Sequence, residues 1–143
     1  MGQFTGTSEF RAPRSRVWQL FTDPEQWSRW NTEWEIRDVR GPFDHAGAGY
    51  TQVLRILGRE HLGVWRIVDC EPGVWRRVEG TLPLGIPFRG EDRFEDLGWG
   101  TRVTLQIAWI TPWGAFGRAL ETLAAPLLKR QFRQNARRAA ALL

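Results

Sequence analysis

The chain has 143 residues, of which 42% are hydrophobic and 25% are charged, and its formal net charge is +4. These values are typical of one globular domain over residues 1–143 and exclude a disordered chain. A single cysteine excludes an internal disulfide framework, and with only two histidines beside it we expect no protein-built metal site and no cofactor. No apolar run approaches the ~18 residues of a membrane span, and the N-terminus lacks the features of a signal peptide, so we expect a cytoplasmic protein.

The first part of the chain predicts one strand and two short helices. Residues 4–13 alternate as a strand, and apolar side chains at helical spacing follow over Arg14–Thr22. Asp23-Pro24 stops that helix and starts a second one, because proline is well tolerated in a first helical turn. Trp27 and Trp30 are three residues apart, so they share one face of the second helix.

After Trp30 the apolar period changes from helical spacing to two, which predicts a run of strands. The strand candidates, separated by glycine- and proline-containing turns, are 33–40, 49–57, 60–70, 74–82, 87–96 and 101–110. From about Trp113 to the end, the pattern predicts one long helix. A curved antiparallel sheet needs cover on one face, and this helix supplies it.

Several short motifs in this order resemble a known family. They are Ala12-Pro13, Val17-Trp18, Asp23-Pro24 with Trp27 and Trp30, Glu71-Pro72, and Gly100-Thr101 before an alternating strand. Together they resemble the START-like (SRPBCC) superfamily, in its polyketide cyclase/dehydrase and lipid transport branch, over essentially the whole chain. The resemblance implies an α+β helix-grip fold (Bet v 1/START-like), with about seven strands wrapped on a long C-terminal helix and two short helices after strand 1. It implies no single function, since this fold hosts many.

The turns fix which side chains share the covered face of the sheet. We predict an apolar face made of Leu62, Val64, Val68, Cys70, Val74, Val78, Leu82, Phe88, Phe94, Val103, Leu105, Ile107 and Trp109. The same registers leave Trp65, Ile67 and Trp75 outside, a pattern that a β-bulge in that region would explain. Arg66, Arg76 and Asp92 interrupt the apolar face, with Arg66 and Asp92 in one row.

Two interpretations of the three charged residues remain open. Buried charges are costly unless they are paired, so an internal Arg–Asp cluster is expected. The cluster is either a polar anchor that orients a ligand oxygen or carboxylate, or an ion pair that only satisfies itself. Asp92 is the one catalytic candidate, as a general base, although an adjacent arginine opposes that role.

The C-terminal helix carries two apolar stripes. The first is Trp113, Phe116, Leu120, Leu123 and Leu127, and beyond Pro126 the second is Leu128, Phe132, Ala136, Ala139 and Leu143. At ~100° per residue the stripes are rotated by on the order of 130°, and Pro126 predicts a change of direction between them. The helix would then form a cavity wall, a closely packed core, or a dimer contact.

Positive charge is concentrated near the end of the chain. Residues 101–143 have a net charge of +6, carried mostly by Lys129, Arg130, Arg133, Arg137 and Arg138. Either these cations complement a helix C-terminus and lie in water, or they make transient contact with an anionic membrane or an acidic partner. No nucleic-acid motif accompanies them, so no nucleic-acid binding is expected, and the protein is predicted to be a monomer or a homodimer.

We predict binding of a small hydrophobic or amphipathic molecule, of lipid, polyketide or isoprenoid type, between the sheet and the C-terminal helix. The predicted ligand-binding residues are Arg66, Arg76, Val78, Asp92, Phe94, Leu105, Ile107, Trp109, Phe116, Leu120, Leu123 and Leu127. One alternative is a polyketide cyclase/dehydrase-type enzyme that uses the same cavity, with Tyr50 beside the charged residues. The other is a non-catalytic interaction module that uses the basic helix.

Overall fold

A computed structural model describes residues 2–31 and 34–143 of the protein. In that part of the chain the elements are β1 (Gly2–Phe10), α1 (Arg14–Thr22), α2 (Pro24–Trp30), β2 (Glu35–Arg40), β3 (Gly49–Ile56), β4 (Arg59–Glu71), β5 (Trp75–Leu82), β6 (Ile86–Asp96), β7 (Thr101–Trp109) and α3 (Gly114–Ala141). The strands form one antiparallel sheet in the order β1-β7-β6-β5-β4-β3-β2. The predicted α+β helix-grip fold is confirmed. The predicted start of the strand at residue 33 lies outside the described residues.

Helices α1 and α2 pack against one end of the sheet. The Asp23 side chain accepts a hydrogen bond from the backbone N–H of Glu25 at 3.0 Å, and Pro24 occupies the first turn, so this segment starts α2 as predicted. The apolar side chains that the two helices bury include Val17, Leu20, Trp27 and Trp30. Because Trp27 and Trp30 share a face, α2 contributes two adjacent indoles to the interior.

The motif Gly100-Thr101 holds the end of β1 in place. The Thr101 hydroxyl donates to the Ala12 carbonyl at 2.8 Å, and the pair is buried. A Cβ at Gly100 would lie 2.2 Å from the Phe10 carbonyl oxygen, so only glycine permits this approach of the chains. These residues therefore serve the fold, and they fix where α1 begins relative to the sheet.

A β-bulge in β4 changes which of its side chains face the core. Cys70 pairs with Arg76, but the pairing continues with Ile67 opposite Val78, so Val68 is an extra residue in β4. Successive side chains in a strand point to opposite faces, so one extra residue exchanges the two faces from there on. The bulge lies in the strand where the sequence pattern was inconsistent.

The predicted inward position of Arg66 is therefore wrong. Arg66 is exposed on the outer face of the sheet, and Leu62 and Val64, also predicted inside, are exposed with it. Trp65 and Ile67 take their place, and Ile67 is fully buried. The prediction counted residues back from the turn at Pro72 as if β4 were regular. The bulge adds one residue to that count, so the side chains before it face the opposite way.

The second apolar stripe of α3 faces the sheet, which is one of the alternatives that the sequence left open. Leu128, Phe132, Ala136, Ala139 and Leu143 are buried or partly buried against the core. The Phe132 ring lies 5.5 Å from the Phe4 ring and directly over Gly6, where an added Cβ would lie 2.8 Å from the ring. Glycine at position 6 thus lets α3 approach β1.

The first apolar stripe of α3 faces solvent, contrary to the prediction that it lines a cavity. Phe116, Leu123 and Leu127 are 66%, 71% and 65% exposed, and Leu120 is also exposed. Helix α3 continues through Pro126 as one element, so a helix that buries the second stripe turns the first one away from the sheet. In this first half of α3 the buried residue is Gly117, which packs against Thr111.

Candidate ligand-binding cavity

A cavity of about 180 Å³ lies between the sheet, the α1–α2 pair and the second half of α3. Its lining is mostly aromatic and aliphatic, with a few polar groups: Ser8, Phe10, Phe21, Trp27, Trp30, Asn31, Trp65, Arg76, Asp92, Val103, Leu105, Phe132, Asn135 and Ala136. This composition is typical of small-molecule sites. A larger depression of about 480 Å³ lies on the outer face of the sheet, but charged side chains such as Arg77 and Arg89 line it.

A buried ion pair lies at the floor of this cavity. Arg76 on β5 and Asp92 on β6 are register partners, and Asp92 is in turn opposite Leu105 on β7. The guanidinium binds the carboxylate through two hydrogen bonds, Nε to Oδ1 at 3.0 Å and Nη2 to Oδ2 at 2.5 Å. Such fork-to-fork pairs are among the strongest hydrogen-bonded contacts in proteins.

The Arg76 guanidinium also fixes two distant parts of the backbone. Its Nη1 donates to the carbonyl of Phe21 at the end of α1 (3.2 Å) and to the carbonyl of Phe43 in the loop before β3 (3.1 Å). The side chain is only 5% exposed, and its charge lies 5.5 to 5.9 Å from the rings of Trp18, Trp65 and Phe94. Arg76 is thus a clamp that holds α1 and this loop against the sheet.

Electrostatics favour the charged form of Arg76 in spite of its burial. Desolvation alone would lower the pKa of the guanidinium, but the attraction and hydrogen bonds of Asp92 outweigh it and raise the pKa above its ordinary value. Arg76 therefore stays charged, and it engages both carboxylate oxygens of Asp92. A proton taken up by Asp92 would leave the buried charge of Arg76 without its counter-ion, so the pairing argues against a general-base role.

Two other titratable side chains near the site are held neutral. Burial raises the pKa of the Tyr50 hydroxyl, and the ring stacks on Trp65 at 4.9 Å between centroids. Burial likewise raises the pKa of the Cys70 thiol, whose Sγ donates to the Asp44 carbonyl at 3.1 Å. A neutral thiol is a poor nucleophile, so Cys70 serves packing, as the sequence predicts.

Tyr50 should therefore not ionise in the folded protein at the pH where a free tyrosine does. It is the one tyrosine of the chain, so near-ultraviolet absorbance reports its ionisation alone. We expect no absorbance rise around pH 10.0 in the native protein and a normal rise in denaturant. The pKa of Tyr50 is higher in the folded protein than in the unfolded chain, so the buried neutral hydroxyl affects the free energy of unfolding. Its contribution to stability is complete below pH 10 and is lost as the pH rises further. A native titration near 10.0 would contradict the burial.

The structure brings some of the predicted site residues to the cavity and leaves others out. Arg76, Asp92 and Leu105 line it. Four lie in or against the core without lining the cavity: Val78, Phe94, Ile107 and Trp109. Arg66 lies on the outer face, and the four helix residues Phe116, Leu120, Leu123 and Leu127 face solvent. The prediction that the first half of α3 lines the site is therefore wrong, and the cavity lies against the second half of the helix.

The lining residues that sequence reasoning missed come chiefly from the α1–α2 pair. Phe21, Trp27, Trp30 and Asn31 close the cavity on the side that the sheet does not cover. The shared face of Trp27 and Trp30 is visible in the sequence, but only the fold shows that this face points to the sheet interior. Phe132 belongs to the second stripe of α3, whose orientation the sequence left open.

Three buried polar atoms on residues that line the cavity have no hydrogen-bond partner among the described residues. They are the indole N–H groups of Trp27 and Trp30 and the side-chain oxygen of Asn31. The three residues are only 7–8% exposed. Buried polar groups are nearly always hydrogen-bonded, so these three mark a place where a partner is missing. Within the two described segments, no cluster of His, Cys, Asp and Glu could hold a metal ion.

Comparison with solved structures shows the same fold. A protein from Rhodobacter sphaeroides has a TM-score of 0.76 and 17% identity, covering 99% of this chain and 91% of that one. Ara h 8.0201 has a TM-score of 0.70 and 11% identity, covering 97% of each chain. DynU16, described as a putative protein in the dynemicin biosynthetic locus, has a TM-score of 0.70 and 15% identity, covering 99% of this chain and 46% of that one.

Identities this low establish the fold and leave the function to be argued from the cavity. No curated protein matches the sequence. The family model described as polyketide cyclase / dehydrase and lipid transport matches residues 1–143, the whole chain. The chain belongs to the polyketide cyclase/dehydrase and lipid transport family.

Proposed function

We propose that the protein binds a small hydrophobic or amphipathic molecule in the cavity between the sheet, the α1–α2 pair and α3. The observation that carries the proposal is the cavity itself, an aromatic-lined space that contains buried polar groups without partners. Apolar burial would supply the affinity, at about 25 cal/mol per Å² before the costs of ordering, and the polar groups would orient the ligand. Membership of a family described in part by lipid transport supports this function.

Binding without a reaction is favoured over catalysis in this cavity. Asp92 is the one acidic side chain among the described lining residues, and Arg76 engages both of its oxygens. Of the four side chains that the cyclase alternative would use, Arg76 and Asp92 are paired with each other, Arg66 is on the outer face, and Tyr50 is buried outside the lining. A cyclase/dehydrase of this chain would have to place its chemistry on other groups.

Native mass spectrometry of the purified protein tests the proposal. We expect a bound molecule at a stoichiometry of one, which denaturing extraction releases for identification. An empty protein would be followed by thermal unfolding with a panel of hydrophobic molecules, where a ligand that binds the native state raises the melting temperature. An empty protein that no member of the panel stabilises would contradict ligand binding.

A second function, contact with an anionic membrane, is favoured by the outward face of α3. Its first half exposes the stripe Phe116, Leu120, Leu123 and Leu127, and its second half exposes Lys129, Arg130, Arg133 and Arg137. The single acid of the helix, Glu121, accepts a hydrogen bond from Thr111. Apolar side chains beside a basic cluster are the pattern of helices that lie on anionic bilayers. None of the described helices is long and apolar enough to cross a bilayer.

Co-sedimentation with vesicles tests this second function. We expect binding to vesicles that contain phosphatidylglycerol and no binding to pure phosphatidylcholine, with affinity falling steeply as salt is added. Each cation near the surface contributes about 1 kcal/mol, so the double reversal Lys129→Glu/Arg133→Glu should weaken binding by more than tenfold. Leu123→Ser/Leu127→Ser should weaken it as well, because these side chains would enter the acyl region.

A control variant with the same change in net charge on another surface distinguishes vesicle binding through α3 from a general effect of net charge. Arg59→Glu/Arg66→Glu makes the same change in net charge at exposed positions of β4. This variant should keep most of its vesicle binding. If it loses as much affinity as the α3 reversal, or if the α3 reversal loses none, α3 is not the contact surface.

A further inference from the structure

The size of the cavity limits what it can hold. A dry cavity of about 150 Å³ in a protein core accommodates benzene, so about 180 Å³ suits one ring with short substituents or a compact pair of rings. Long acyl chains and extended polyketides exceed this volume. The ligand that fits this state of the protein is therefore compact.

The charge of the cavity floor limits the charge of the ligand. Arg76 and Asp92 neutralise each other, and Arg76 gives its other hydrogen bonds to the carbonyls of Phe21 and Phe43. They are the only charged side chains among the described lining residues. An anionic ligand would bring a second negative charge beside Asp92 with no free cation to compensate it, and a cationic ligand would face Arg76. Charges buried without a partner are strongly disfavoured, so a neutral ligand is the one that fits.

The unpartnered polar groups specify the hydrogen bonds that the ligand must make. Trp27 and Trp30 offer two N–H donors, and the Asn31 oxygen offers an acceptor. All three residues belong to one short stretch at the end of α2 and line the same cavity. A hydroxyl group is both acceptor and donor, so one hydroxyl can partner an indole N–H and the Asn31 oxygen together.

We propose that the cavity is specific for a compact, uncharged ring compound that carries a hydroxyl group, and that Trp27, Trp30 and Asn31 recognise this hydroxyl. The proposal rests on the proposed function, since it assigns the ligand class of the same cavity. It also gives Arg76 a structural role and excludes it as an anchor for a ligand carboxylate.

Isothermal titration calorimetry with three related probes at neutral pH tests the proposal: naphthalene, 2-naphthol and 2-naphthoate. They share one ring system and differ in having no polar group, a neutral hydroxyl or a charged carboxylate. We expect 2-naphthol to bind about tenfold more tightly than naphthalene, the gain expected when buried polar groups acquire partners. We expect no detectable binding of 2-naphthoate.

Trp→Phe variants identify the groups that recognise the hydroxyl. Trp27→Phe and Trp30→Phe remove the N–H and keep an aromatic ring, and the exposed Trp99→Phe is the matched control. The readout is the ratio of 2-naphthol affinity to naphthalene affinity, which cancels changes in cavity shape because both probes experience them. We expect at least one of the two cavity variants to reduce the ratio severalfold and Trp99→Phe to leave it unchanged.

The outcomes separate this proposal from the proposed function. If naphthalene binds and 2-naphthol binds no better, or if 2-naphthoate binds best, the assignment of a neutral hydroxyl ligand is overturned while ligand binding stands. An unchanged ratio in both cavity variants overturns the roles of the two indoles. If none of the probes binds and the hydrophobic panel does not raise the melting temperature either, ligand binding itself fails.

Discussion

Replacing Asp92 by leucine is expected to destabilise the protein by about 3–5 kcal/mol, the usual cost of removing one partner from a buried ion pair. The Arg76 side chain is only 5% exposed, and without Asp92 its charge would have no counter-ion. It would also be less well held for its hydrogen bonds to Phe21 and Phe43. Chemical denaturation measures the free energy of unfolding directly.

The double variant Arg76→Met/Asp92→Leu is the control for this prediction. Replacing both members of a buried pair by apolar side chains of similar size is often nearly neutral, so the double variant should recover much of the lost stability. Its shortfall from the wild type then reports the two backbone hydrogen bonds that only Arg76 makes. A loss below about 1 kcal/mol for Asp92→Leu, in the range of an exposed ion pair, would show that the pair is not a clamp.

Filling the cavity from α3 should abolish ligand binding without unfolding the protein. Ala136 lines the cavity on the second half of the helix, and Ala136→Phe would place a ring in the empty space. We expect the affinity for 2-naphthol to fall by more than 100-fold. The free energy of unfolding should change by no more than about 1–3 kcal/mol, since the new side chain enters a void and incurs at most a modest cost of overpacking.

Ala140→Phe provides the matched substitution, because Ala140 lies one turn further along the same helix and is exposed. This variant should bind 2-naphthol like the wild type. Equal losses of affinity in the two variants would point to a general effect on α3. Full binding by Ala136→Phe would place the ligand outside the cavity.

The order of the elements could be predicted from the sequence because the turn signals are strong and the periods are clear. Helix α1 occupies the predicted residues Arg14–Thr22, and the strands differ from their predicted ranges by only one or two residues at most ends. Asp92 and Leu105, both predicted on the covered face, lie opposite each other in the register between β6 and β7. A tight turn between two regular strands leaves only one pairing that keeps both apolar faces on the same side.

The position of Arg66 could not be predicted because a single extra residue decides it. Val68 forms the bulge of β4, and its side chain is apolar like its neighbours, so no residue type marks the insertion. The only indication in the sequence is that Trp65 and Ile67 would otherwise be exposed. Two large apolar residues on the wrong face are a stronger signal than one arginine, whose long side chain is usually exposed.

The exposed stripe of α3 shows a different limit of sequence reasoning. Both apolar stripes have the same period, and periodicity identifies a face without saying what covers it. Two contacts decide which stripe faces the sheet. Phe132 packs over Gly6, which is far away in the sequence, and Gly117 packs against Thr111, across the turn before the helix. They turn the second stripe inward, so that the cavity ends at the middle of the helix.

The most direct test of the cavity as the ligand site is to locate a bound molecule among the nine tryptophans of the chain. Each indole N–H gives its own signal in a proton–nitrogen correlation spectrum, and 2-naphthol can be titrated into the labelled protein. We expect the signals of Trp27 and Trp30 to shift most, and that of the exposed Trp99 to stay fixed. Shifts confined to tryptophans outside the cavity, such as Trp99 or Trp113, would contradict a ligand site between the sheet, the α1–α2 pair and α3.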